Sequence, residues 1–228
     1  MILVLTIAIV FIVILVVIAY YLALTTSCSD PFGNVWTKES NSQARHLISV
    51  LHQLSIEKGH TYFLMCGTLL GYKRHGSIIP WDDDIDVGVS REWYETIDPD
   101  EFARNGIGLV KNHEGKMHKI FLLSNKPIKG RSYSWPFIDL FPYDVVGNQV
   151  NMEIPEKVTL NTTDVFPVTD GVFNSLRVKV PHNSVAVLDT LFGKTWATMC
   201  YSSNYNHRLE KGIRFWNIKK VPCSSIKL

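Results

Sequence analysis

Gly67-Thr68-Leu69-Leu70-Gly71-Tyr72-Lys73-Arg74-His75-Gly76, followed by Ile78-Ile79-Pro80-Trp81-Asp82-Asp83-Asp84-Ile85-Asp86-Val87-Gly88, decides the fold. Thr61 to Cys66, just upstream, is an apolar run that reads as a short strand. Gly67-Thr68 then turns the chain into a brief helix holding Leu69, Leu70 and Lys73, and Gly76 ends it. Ile85 to Val89 reads as a strand bearing an Asp-x-Asp pair. Strand, Gly-Thr turn, helix and acidic strand together describe a mixed α/β domain on a mixed sheet.

The chemistry sits in the same stretch. Asp82, Asp83, Asp84 and Asp86 repel one another and resist ionisation unless something positive lies among them. A divalent cation with hard oxygen ligands answers this: magnesium, manganese or calcium. In extended chain, alternate residues share a face. Asp82, Asp84 and Asp86 then point one way, while Asp83, Ile85 and Val87 point the other. A solvated acidic loop is the bland alternative, and the apolar alternation through Ile85 and Val87 argues against it. At Gly67-Thr68 a missing side chain lets phosphate approach the backbone, and the helix start offers free N–H donors.

Further out, Leu47, Ile48, Leu51 and Leu54 recur at helical spacing between Thr37 and Lys58, with Gly59 as the stop. Ser90 is placed to cap a helix through Trp93 and Ile97, and a short helix covers Pro99 to Arg104. Ile107–Val110 and Met117–Leu123 read as strands around a turn at 112–115. Phe137-Ile138-Asp139-Leu140-Phe141 is a strand with one carboxylate among large apolar side chains. Leu176 to Val180 is another strand, and a helix through Val187, Leu188 and Leu191 closes at Gly193. Lys116, His118 and Lys119 read as surface charge. Trp81 beside the acids suits either stacking or packing.

Ile2 to Leu24 is almost unbroken Ile, Val, Leu, Ala and Phe. At about 1.5 Å per helical residue it spans a hydrocarbon core of about 30 Å. Its length and the absence of a basic start favour an uncleaved anchor over a signal peptide. Asn161-Thr162-Thr163 is a glycosylation acceptor pattern, which needs a lumenal domain. Together they predict a single-pass type II protein facing the Golgi or ER lumen. Of Cys28, Cys66, Cys200 and Cys223, none forms a CxxC pair. Cys200 and Cys223 can bridge in an oxidising lumen, and Cys66 reads as a buried free thiol. Lys plus Arg is 23 against 21 Asp plus Glu, so no basic surplus points to nucleic acid.

The Gly67–Gly71 turn, Arg74-His75-Gly76 and Ile79-Pro80-Trp81-Asp82-Asp83-Asp84-Ile85-Asp86 resemble the signature of the LicD/fukutin family of phosphotransferases, within the nucleotidyltransferase superfamily. The likeness extends to Phe137–Pro142, Phe166-Pro167 and Val178–Pro181. It implies a nucleotidyltransferase-like catalytic domain over 37–228, behind an anchor at 1–24 and a linker at 25–36. It also implies transfer of a phosphocholine or ribitol phosphate type group from a CDP-linked donor to a glycan hydroxyl, releasing CMP. Residue by residue, the family pattern falls on Gly67 and Thr68 for donor phosphate and on Asp84, Asp86 and Asp139 for metal and catalysis. Asp82 joins the metal set by extension of the acidic run. Arg74 and His75 are further candidates for donor phosphate, with Mg2+ or Mn2+ as the cofactor. Asp139 is placed to take the acceptor's proton. Two rivals remain. A nucleotide-sugar glycosyltransferase also uses Asp-x-Asp, but needs neither the Gly-Thr helix start nor Asp139. A non-catalytic lumenal protein would bind metal or glycan through the acidic strand alone.

Overall fold

The structure is a computed structural model, which describes residues 2–25, 30–154, 157–213 and 217–226. Helix α1 spans Ile2–Thr25. Its side chains are described only at residues 6, 7 and 9–18, where Ile7, Val10, Phe11, Ile14 and Ile18 are all exposed. Among the described residues no helix is long and apolar enough to cross a membrane. Cys28 lies outside the described residues.

Helix α2, Lys38–Lys58, opens on a capping box in which Thr37 and Ser40 bond each other's backbone N–H, and it closes at Gly59 with a left-handed φ of 69°. Its apolar stripe, Ala44, Leu47, Ile48, Leu51 and Leu54, is buried. Strand β1 (Tyr62–Leu64) leads into α3 (Cys66–His75), which Gly76 terminates at φ 63°. The residues of 30–36, read as linker, are already tied to the domain: Val35 N–H donates to the Pro80 carbonyl, and Phe32 stacks edge-on against Trp81.

Strand β2 is Asp86–Ser90, so the acidic strand begins one residue later than expected and Asp84 lies in the extended approach to it. Ser90 caps α4 (Arg91–Thr96) through the Trp93 N–H, and Asp98 caps α5 (Pro99–Ala103). Strands β3 (Ile107–His113) and β4 (Met117–Leu122) pair around the predicted turn. Strand β5 runs from Phe137 to Val146, twice the expected length. Its second half pairs with β6 (Gln149–Met152), which pairs with β7 (Val158–Asn161).

The seven strands form one sheet in the order β1-β2-β5-β4-β3, with β6 and β7 continuing from β5. Among the described residues of this sheet, only the β2–β5 pair is parallel. The sheet is therefore mixed, as the α/β reading requires. Its parallel register sets Asp86 level with Asp139, and the antiparallel β4–β5 register sets Lys119 opposite Asp139. Ile120, Ile138, Leu140, Val87 and Val89 pack with the α2 stripe in the main core, whereas Phe121, Tyr133 and Phe137 form a small cluster of their own. Strand parity thus separates the apolar core from the residues that face the site.

Beyond the sheet, α6 (Thr162–Val165), the hairpin β8 (Thr169–Phe173) and β9 (Leu176–Val180), and α7 (Ser184–Phe192) follow. The last segment forms two small ribbons. The outer one pairs β10 (Met199–Tyr201) with β13 (Lys220–Pro222). The inner one pairs β11 (Tyr205–Asn206) with β12 (Lys211–Gly212). Cys200 and Cys223 are disulfide-bonded across the outer ribbon, and Cys66 is free.

Candidate active site

Asp84, Asp86 and Asp139 each offer a carboxylate oxygen, and these oxygens lie within 4.8 Å of one another. Two are held by adjacent parallel strands. Asp139 N–H donates to the Ile85 carbonyl at 2.7 Å, and Asp86 N–H donates to Thr68 Oγ1 at 2.8 Å. Asp86 and Asp139 are buried, and Asp84 is partly so. Burial, then Asp84, Asp139 and Asp82, hold the Asp86 carboxyl well above the usual range. Burial pushes Asp139 up to about 6, against the opposing pull of Lys119. The cluster therefore carries more acid than its own counter-charges neutralise, and a bound cation would relieve it. Three hard oxygen donors at this spacing suit Mg2+ or Mn2+.

Asp82 stands beside this trio rather than within it. Burial and the Asp84 and Asp83 carboxylates hold its carboxyl well above the usual range, with a hydrogen bond to Asp84 adding to this and Arg74 opposing. Its Oδ2 packs so close to Gly67 that a Cβ there would sit 2.3 Å away. The missing side chain at Gly67 thus admits a carboxylate of the protein itself. Asp83 is also outside the trio and accepts from the Arg208 N–H at 3.3 Å. Two indoles hold the acidic loop by its carbonyls, Trp36 at Asp82 and Trp135 at Asp83, each at 2.6 Å.

The candidate donor-phosphate residues are divided. Thr68 is buried and spends its hydroxyl lone pair on strand β2. Arg74 points to the far side of α3, where its Nη1 contacts the Trp196 and Met199 carbonyls and both disulfide sulfurs. His75 meets Trp81 edge-on in that same second cavity. Trp81 is packed there, with its indole N–H on the Tyr201 carbonyl.

A cavity of about 430 Å³ opens over the acid trio, and its walls include Cys66, Lys119, Phe141, Tyr205, His207 and Glu210. Lys119 and His118, read from sequence as surface charge, are each 2 % exposed, which corrects that expectation. Lys119 Nζ bonds both Asp139 oxygens, at 2.6 and 2.8 Å, and lies 3.7 Å from the centre of the Phe137 ring. A lysine can be buried this way because a carboxylate opposes it and aromatic faces surround it. His118 sits on the opposite face of β4, where its Nδ1 accepts from Asn112 N–H and its Nε2 faces the Tyr94 carbonyl. Lys116 is exposed at the rim. His207 Nε2 reaches Asp84 Oδ2 at 3.0 Å. Tyr205 donates its hydroxyl to Glu210. Sequence reasoning missed Lys119, His207, Tyr205, Glu210 and the two tryptophans. Of these only Lys119 had a signal, a lone charge inside an apolar strand.

Asn161 is exposed at the start of α6 and bonds Asp164 through its side-chain amide.

The acid trio, the parallel strand pair and the small-residue helix start make a mixed α/β domain with a carboxylate cluster that could hold a cation. Residues 59–183 match the family described as LicD/FKTN/FKRP, nucleotidyltransferase domain, and the chain belongs to that family. Lipopolysaccharide cholinephosphotransferase LicD of Haemophilus influenzae is 28 % identical over 127 residues, 52 % of this chain and 48 % of that protein. Ribitol 5-phosphate transferase FKRP of Homo sapiens is 45 % identical over 49 residues, 22 % of this chain and 9 % of that protein. An uncharacterized Rickettsia prowazekii protein, RP689, is 44 % identical over 46 residues, 20 % of this chain and 17 % of that one. The chain thus spans about half the length of the first of these relatives and far less of the others. Tyr205, His207 and Glu210 lie outside the family match.

Proposed function

We propose that this protein transfers a substituted phosphate, of the phosphocholine or ribitol phosphate type, from a CDP-linked donor to a glycan hydroxyl, releasing CMP. The observation that carries the reading is the convergence of Asp84, Asp86 and Asp139 at the floor of an open cavity. Membership of the family adds weight, as do the activities for which LicD and FKRP are named. In this reading Asp84, Asp86 and Asp139 hold Mg2+ or Mn2+. When bound, such an ion screens the donor's diphosphate charge and eases departure of CMP. The acceptor oxygen forms a bond to the transferred phosphorus as the bond from that phosphorus to the CMP oxygen breaks.

The protein's own residues do the rest. Asp139, which borders the cavity beside the other two acids, is the candidate to receive the acceptor's proton. Thr68 fixes the height of Asp86 by binding its N–H. Trp36 and Trp135 fix the path of the acidic loop. The domain over 37–228 is the catalytic unit.

We place this domain in an oxidising lumen of the secretory pathway, held by the apolar run over 2–24 as a type II anchor. The disulfide between Cys200 and Cys223 and the exposed Asn161 acceptor support that placement. A mobility shift on glycosidase treatment checks the orientation.

Incubation with CDP-choline, CDP-ribitol and UDP-sugars, with detection of released CMP or UDP, tests the function. Release of CMP that Asp84→Asn abolishes, in a chain whose circular dichroism is unchanged, is the expected result. Release of UDP instead would make the protein a glycosyltransferase. Metal binding without turnover of any donor would make it a binding protein.

A further inference from the structure

Lys119 is buried at 2 % exposure and borders the same cavity as the acid trio. Its ammonium is bonded to both oxygens of Asp139 and lies over the Phe137 ring, with the Tyr133 ring 5.2 Å away. The partner it holds is thus one of the three carboxylates that would hold a cation. Three acid groups against one ammonium leave the cavity floor with more acid than that ammonium neutralises. Such a floor repels a nucleoside diphosphate. One divalent cation on the trio offsets that excess. It also competes with Lys119 for Asp139, because a dication and an ammonium on the same oxygens repel each other. The ammonium cannot reach bulk water without leaving a cavity it already occupies, and a buried charge needs an anionic partner. The diphosphate of the donor is the anion that arrives next.

We propose that Lys119 is a phosphate-binding residue that changes partner: it pairs with Asp139 in the metal-free protein, and turns to the donor's diphosphate once a divalent cation holds Asp139. The inference rests on the metal reading of the acid trio and assigns a specific cation to the donor, a task for which Arg74 is turned to the far cavity. It also gives loading an order. The metal-free floor disfavours the donor, so the cation enters first or accompanies it.

The test uses Mn2+ and CDP as probes, with the full chain and its Lys119→Met and Lys119→Arg variants. Free Mn2+ is read by electron paramagnetic resonance, and CDP binding by calorimetry at saturating Mn2+. Lys119→Met should bind Mn2+ at least as tightly as wild type, and CDP at least about fivefold more weakly, as the loss of a charge-assisted hydrogen bond demands. Lys119→Arg should keep most of the CDP affinity. A smaller loss for Lys119→Met, or weaker Mn2+ binding in that variant, overturns the inference and leaves Lys119 as a positioning residue for Asp139. Wild-type protein that binds neither Mn2+ nor CDP would overturn the functional reading and this inference with it. If Lys119→Met does not fold, wild-type protein labelled with 13C at the lysine ε-carbons decides. The Lys119 resonance, assigned by its loss in Lys119→Arg, should move when CDP is added at saturating Mg2+; an unmoved resonance overturns the inference.

Discussion

Replacing Asp86 by Asn removes one charge from the middle of the acid trio and leaves its shape intact. Asp86 is 8 % exposed, and its carboxyl is destabilised as an anion by burial and by three neighbouring acids. The trio's oxygens lie within 4.8 Å of one another. Two unit charges at that distance repel by about 3–4 kcal/mol at an effective dielectric of about 20. Proton uptake and the Lys119 ammonium relieve part of this. We expect Asp86→Asn to exceed wild type in stability by about 1–3 kcal/mol in chelator at neutral pH. For a domain of this size each kcal/mol moves Tm by about 2–4 °C. Excess Mg2+ reverses the order. A ligand at a hundred times its Kd adds about 2.7 kcal/mol to the protein that binds it, and the variant has lost a ligand. The assay is thermal unfolding of both proteins by circular dichroism, in chelator and in Mg2+. An Asp86→Asn chain that is less stable in chelator, yet still gains the full wild-type increment from Mg2+, would refute the metal reasoning.

Other outcomes follow from the same geometry. Gly67→Ala puts a methyl 2.3 Å from Asp82 Oδ2, so the Asp82 carboxylate must shift; Mn2+ affinity should change by at least severalfold. Helix propensity favours Ala by about 1 kcal/mol, so unfolding should show little net destabilisation, and an unchanged Mn2+ isotherm would count against the contact. Burial lowers His118 to about 4, because its Nδ1 already accepts from Asn112 and a second proton has no acceptor there. The unfolded chain then binds more protons than the folded one between about pH 4 and 6.5. Stability should therefore fall by up to about 2 kcal/mol as pH drops through that window, and denaturant titrations of His118→Gln should show a flatter profile. Cys200→Ser should cost up to about 3 kcal/mol, from the loop its disulfide closes over a separation of 23 residues; urea unfolding measures it.

Local order was legible where a residue acts on its own neighbours. The α2 stripe, its Thr37 start, its Gly59 stop and the caps at Ser90 and Gly76 all follow from spacing and side-chain chemistry. Parity also placed Asp84 and Asp86 on one face, and both join the trio, whereas Asp82, expected on that face, stands outside it. What failed depends on strand pairing. Lys119 looks like surface charge until β4 lies against β5 and sets it opposite Asp139. Arg74 looks like a phosphate ligand until Met199 and Cys200 arrive beside it from the far end of the chain. His207 carries no local signal, because its role is defined by Asp84, more than a hundred residues away. The strands β6 and β7 were also unread. Gln149-Val150-Asn151-Met152 and Val158-Thr159-Leu160-Asn161 do alternate, but each run is only four residues long and its place is set by continuing the edge that β5 offers.

Trp36 and Trp135 each donate to a carbonyl of the acidic loop, and their rings lie 4.9 Å apart. Any shift of Asp82 to Asp84 on taking up a cation must tug on one indole or the other. The protein therefore comes with an optical gauge already installed: ultraviolet emission should register cation entry without any added dye.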